Sequence, residues 1–159
     1  MDIGHVLAIW LHTVALVIAW GYYGILGRIA LPALERALDR GAIPAALLAM
    51  ERRAAPLVVV SCVLFTLTGT YLLVLDPHYA GLGNFAASAW TLLMLVKHGL
   101  VVGFVALAVA VDLLVRRIGR AGDRGPCERD LRWLRFGAEG ATGLGALIVL
   151  LTAVAQALA

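Results

Sequence analysis

Four apolar runs, each long enough to cross a lipid bilayer, constrain this chain more than any other feature. A hydrocarbon core about 30 Å thick needs about 20 residues of helix at 1.5 Å rise per residue. The runs cover about residues 4–31, 56–75, 86–115 and 136–159. The first carries no charge between Asp2 and Arg28, the second none from Pro56 to Leu75, the third only Lys97 and Asp112, and the fourth only Glu139. Pro56 suits the first turn of a helix, and Asp76-Pro77 suits an ending. The first run exceeds the 7–15 residue apolar stretch of a cleaved signal peptide and lacks a basic start, so it counts as a span.

Composition agrees. Hydrophobic residues make up 62% of the 159 and charged ones 14%, with a mean hydropathy of +0.94; soluble domains carry roughly 45–50% apolar residues. Four crossings use up the chain, which predicts one transmembrane domain over residues 1–159 without a soluble appendage. The expected fold is an all-α membrane protein, a four-transmembrane-helix up-down bundle, with connections at 32–55 and 116–135. Cys62 and Cys127 show no paired pattern, so no disulfide is expected. The pI near 9.2 implies no nucleic-acid partner, because the basic residues sit in two blocks beside apolar segments.

Those blocks orient the bundle. Arg28, Arg36, Arg40, Arg52 and Arg53 flank the first connection, and Arg116, Arg117, Arg120, Arg124, Arg129, Arg132 and Arg135 fill the last. The turn from Asp76 to Phe85 has no basic residue. Since cytoplasmic loops collect Lys and Arg, this turn and both termini are expected outside, and the two arginine-rich connections inside. Pro44 followed by Ala45 to Arg53 is read as a solvated loop, with a short interfacial helix as the alternative.

All four histidines then fall toward the outside: His5 and His12 on the first span, His78 in the outer turn, His98 on the third. The first and third spans run in the same direction, and the depths of His12 and His98 differ by about 6 Å at most. In an up-down bundle these spans lie diagonally across the core, where two imidazoles can approach one ion or cofactor plane. An unpartnered imidazole in hydrocarbon costs several kcal/mol. A metal would satisfy the pair; the alternative partners for His12 are Thr13, Thr66, Thr68 or a backbone carbonyl. His5, one heptad above His12, and His78 are expected to be interfacial and wet.

A b-type heme would need two neutral imidazoles, an apolar slot, small residues and a cation for its propionates. His12 and His98 would be the ligands and Lys97, the sole lysine, the cation. Gly21, Gly24, Gly99, Gly103 and the Gly137, Ala141, Gly145 series would make room, though the same spacing serves plain helix packing. Lys97 could instead extend toward Asp76 or Asp2. Copper is the competing ion, since His with Met suits Cu(I): Met94 and His98 are four apart on one helical face, with His5 as a further candidate. No Ser, Cys or Asp stands in a nucleophilic motif with a histidine.

The segments Leu11-His12, Trp20-Gly21, Pro32-Ala33-Leu34, Thr68-Gly69 with Tyr71-Leu72-Leu73, and Leu95-Val96-Lys97-His98 resemble the copper resistance protein D (CopD-like) group over about residues 5–105. In plan the chain is also similar to HemJ-type protoporphyrinogen oxidases, which carry a histidine in the first helix. After Trp20, however, the chain reads Gly-Tyr-Tyr-Gly-Ile-Leu-Gly-Arg, unlike the Phe-Tyr-Leu-Pro-Arg-Leu type of run in that group. The first resemblance implies copper handling at the inner membrane, the second b heme and a porphyrin substrate.

The leading expectation is a bis-histidine heme protein acting in electron transfer at a bacterial cytoplasmic membrane. The alternatives are a copper transport or resistance protein using His5, His12, Met94 and His98, and a cofactor-free subunit or homo-oligomer of a larger membrane complex. A high Ala, Leu, Arg and Gly content is compatible with a GC-rich bacterial genome.

Overall fold

In the computed structural model, residues 2–77, 79, 88–120 and 125–158 are described. His78, Arg124 and most of the turn from Asp76 to Phe85 lie outside the described residues. Helix α1 spans Ile3–Ile25 and passes through a π-helical turn, Leu26–Ala30, into α2, Leu31–Ala37; α3 spans Ile43–Val74, α4 Ala89–Gly119 and α5 Glu128–Leu158. Among the described residues four helical stretches are long and apolar enough to cross a membrane: α1 with α2, then α3, α4 and α5. In the most apolar window of any of them no more than 28% of residues are buried inside the chain. The remainder includes Leu57, Val59, Val102, Leu113 and Phe136, each more than half exposed, so lipid completes the burial that the fold leaves undone.

Local chemistry fixes several helix ends. The Asp2 side chain accepts from Gly4 N at 3.4 Å at the start of α1, and Ser88 Oγ accepts from Thr91 N at 3.2 Å at the start of α4. The π turn stands directly before Pro32, whose ring would crowd the Arg28 carbonyl four residues back in a regular helix. Widening the turn, so that Leu31 N–H reaches Leu26 O, relieves that crowding.

The arginine-rich ends differ from the sequence expectation. Helix α3 starts at Ile43 and runs through Pro56, where a connection to residue 55 was expected. The stretch Ala45–Arg53 is rich in strong helix formers, and it docks through Ile43 and Leu47, both essentially inaccessible. Likewise α4 continues to Gly119 and α5 begins at Glu128. Ion pairs tie these extensions together: Arg40 to Glu128 at 2.7 Å, Arg135 to Glu35 at 2.6 Å, and Arg117 to Asp130 at 3.8 Å.

Around the bundle α1 packs on α3 and α5, and α4 packs on α3 and α5, so α1 and α4 stand diagonally. The core runs from Ala19, Tyr23 and Leu26 through Phe104, Ala108 and Val111 to Leu134, Ala138 and Ala141. Small residues set the approach of α5. A Cβ at Gly137 would lie 2.8 Å from Val111 Cγ2, and one at Gly145 would run into the Trp20 indole, whose Nε1 donates to Thr142 O at 2.8 Å. These two glycines therefore serve helix packing, whereas a Cβ at Gly21 or Gly99 would meet no atom within 4 Å.

Candidate metal-handling site

His12 is half-buried on α1, against α3. Its ring stacks on Phe65 with centroids 4.2 Å apart and planes 20° from parallel. His12 Nδ1 lies 3.1 Å from Phe65 O and 3.0 Å from Thr68 Oγ1. A carbonyl can only accept, and the Thr68 hydroxyl already donates to Leu64 O at 2.6 Å. Nδ1 must therefore carry the proton and donate, which leaves the Nε2 lone pair uncommitted. Ligating histidines are commonly held in this way, with the far ring nitrogen donating to a carbonyl.

Gly69 makes the seat possible. A Cβ there would lie 2.9 Å from His12 Cε1, inside van der Waals contact. The partner Thr68 and a backbone carbonyl were both among the sequence-based alternatives for His12; Phe65 and the steric role of Gly69 were not.

On α4, His98 Nδ1 donates to Met94 O at 2.6 Å, so its Nε2 is also uncommitted. The His98 ring is exposed, Met94 and Lys97 half-buried. Lys97 and His98 sit on α4, which stands diagonally across the bundle from α1 and His12. Lys97 forms no ion pair with Asp2 among the described residues. His5 is half-buried one heptad above His12. Among the described residues no three His, Cys, Asp or Glu side chains converge as a metal cage.

The core beneath this site is tight. A cavity of about 10 Å³ lies among Leu16, Ala19, Cys62, Phe65, Val101 and Phe104, about the room that one water needs. Neither this cavity nor the exposed His98 ring supports the expectation of a heme held between His12 and His98. Of the glycines expected to open that slot, Gly137 and Gly145 are filled by Val111 and Trp20, and Gly21 and Gly99 have open space beyond them.

A second polar cluster lies at the arginine-rich end. Glu51 of α3 is only 6% exposed, although it falls in the stretch Ala45 to Arg53 that the sequence reads as a solvated loop. Tyr22 of α1 donates to Glu51 Oε2 through a short hydrogen bond, and Asp112 of α4 belongs to the same polar cluster. Asp112 in turn accepts from Arg116 Nε at 2.8 and 3.0 Å.

The family model for copper resistance protein D, CopD, matches residues 48–155. The chain belongs to the copper resistance protein D family. No curated protein and no solved structure matches this CopD-family chain. The matched segment holds Thr68-Gly69, Tyr71-Leu72-Leu73 and Leu95-Val96-Lys97-His98, but it begins beyond Leu11-His12, Trp20-Gly21 and Pro32. In the CopD-family chain the cradle for His12, from Phe65 to Gly69, thus lies inside the family region, and His12 itself precedes it.

Proposed function

We propose that this multi-pass membrane protein carries copper across the bacterial inner membrane, with His12 and His98 as the side chains that meet the ion on its way and Met94 and His5 flanking them. Copper here is cargo, not a resident cofactor. The observation that carries the reading is the His12 seat: Nδ1–H is tied to the α3 backbone, and Nε2 is left as a pre-oriented donor in a family whose description is copper resistance. Neutral imidazoles, with a thioether nearby, suit Cu(I).

Lys97 supports passage over storage. A cation near the site opposes tight retention, and conduction needs a site that an ion can enter and also leave. The arginine-rich connections set the orientation, with the histidine end facing outward. In this reading the ion is received at the outer end, by way of His5.

Copper flux into liposomes containing the purified chain tests the proposal, with total copper read by mass spectrometry. His12→Ala and His98→Ala are each expected to lower the flux at least tenfold while the protein remains folded. Flux unchanged in both variants would overturn it.

A further inference from the structure

Where α3 and α4 leave the apolar layer, a pocket of about 280 Å³ opens between them, lined by Glu51, Arg52, Arg116, Gly119 and Arg120 among others. Gly119 brings the two helices together there, since a Cβ would sit 3.3 Å from Leu48. Three guanidiniums face this space. Arg116 is already engaged by Asp112, and Glu51 by Tyr22. Arg52 and Arg120 form no ion pair or side-chain hydrogen bond among the described residues. The nearby carboxylates of Glu51 and Asp112 are thus engaged by Tyr22 and Arg116, and the exposed guanidiniums of Arg52 and Arg120 border the concave space.

We propose that this pocket binds the phosphate group of an anionic phospholipid, gripped by Arg52 and Arg120. Guanidinium forks match phosphate oxygens in pairs, and basic pockets between helices at the cytoplasmic surface are suited to acidic headgroups. A lipid is favoured over free phosphate by the surface next to the pocket. Leu57 and Val60 on α3 and Val109 and Leu113 on α4 are each at least half exposed, and they offer acyl chains an apolar wall leading away from the two arginines. This site is separate from the histidine end and does not rest on the copper reading.

Native mass spectrometry of the full chain, released from nanodiscs of phosphatidylcholine with a minor share of phosphatidylglycerol, tests the proposal. Phosphatidylglycerol is expected to stay bound preferentially, and Arg52→Gln with Arg120→Gln is expected to lower its retention at least tenfold. Arg52→Lys with Arg120→Lys should restore part of it, since charge remains and the fork is lost. If inorganic phosphate displaces the lipid and is itself retained, the lipid assignment is overturned and the natural ligand is the free ion. Equal retention of phosphatidylcholine would overturn the proposal. So would undiminished phosphatidylglycerol binding in the Gln variant, or an equal loss in a control carrying Arg28→Gln and Arg36→Gln.

Discussion

At the scale of single residues, the site depends on one missing side chain. Gly69 leaves space that the His12 ring occupies, so Gly69→Ala forces the ring or the backbone to move. We expect it to cost about 1–3 kcal/mol, as overpacking does, and to lower copper flux without unfolding the bundle. Chemical unfolding in detergent and liposome flux measure the two effects. Thr68→Val should be milder, because Phe65 O still accepts the Nδ1 proton; a loss of about 0.5–1.5 kcal/mol is expected. Tyr22→Phe removes the donor to a carboxyl that is almost fully enclosed. The same unfolding assay should show about 1–3 kcal/mol of destabilisation, the cost of a buried polar group left unsatisfied. The sequence pointed to His12, Lys97 and His98 because polar groups in apolar runs stand out. Phe65, Gly69 and Glu51 stayed hidden for the opposite reason: an aromatic and a glycine in a membrane helix are ordinary, and a glutamate beside Arg52 and Arg53 reads as a solvated one.

At the scale of helices, hydropathy located the crossings but not the ends. An apolar run measures how much chain lies in hydrocarbon, whereas a helix continues as long as its backbone is paired and one face is covered. Ile43 and Leu47 cover that face below the lipid, and α3 extends accordingly. Pro56, expected at a helix start, is therefore interior and leaves the Arg52 carbonyl without its usual partner. Pro56→Ala would restore that bond. We expect a gain of about 1–3 kcal/mol, with slowed amide exchange at the residues flanking position 56 as the confirming measurement.

At the scale of the whole molecule, charge distribution and burial act together. Among the described residues eleven arginines crowd one end, and the pairs Arg40–Glu128 and Arg135–Glu35 join segments distant in sequence there. Exposed pairs of this kind contribute about 0–1 kcal/mol each, so packing and lipid carry the stability. The orientation can be read from the cysteines. Cys127 is exposed and close to the arginine-rich connection, while Cys62 is half-buried within α3. A membrane-impermeant thiol reagent should leave Cys127 unlabelled in intact cells and modify it after permeabilisation. Labelling of Cys127 in intact cells would reverse the assignment of sides.

The imidazole proposed to receive cargo on α1 is also bonded to the spine of α3. A cation landing on Nε2 would draw electron density out of the ring and sharpen the acidity of its opposite N–H, tightening the hold on Phe65 O. Arrival of the ion would thus clasp two neighbouring spans together, and its departure would let them slacken, so that occupancy and mechanical stiffness rise and fall as one.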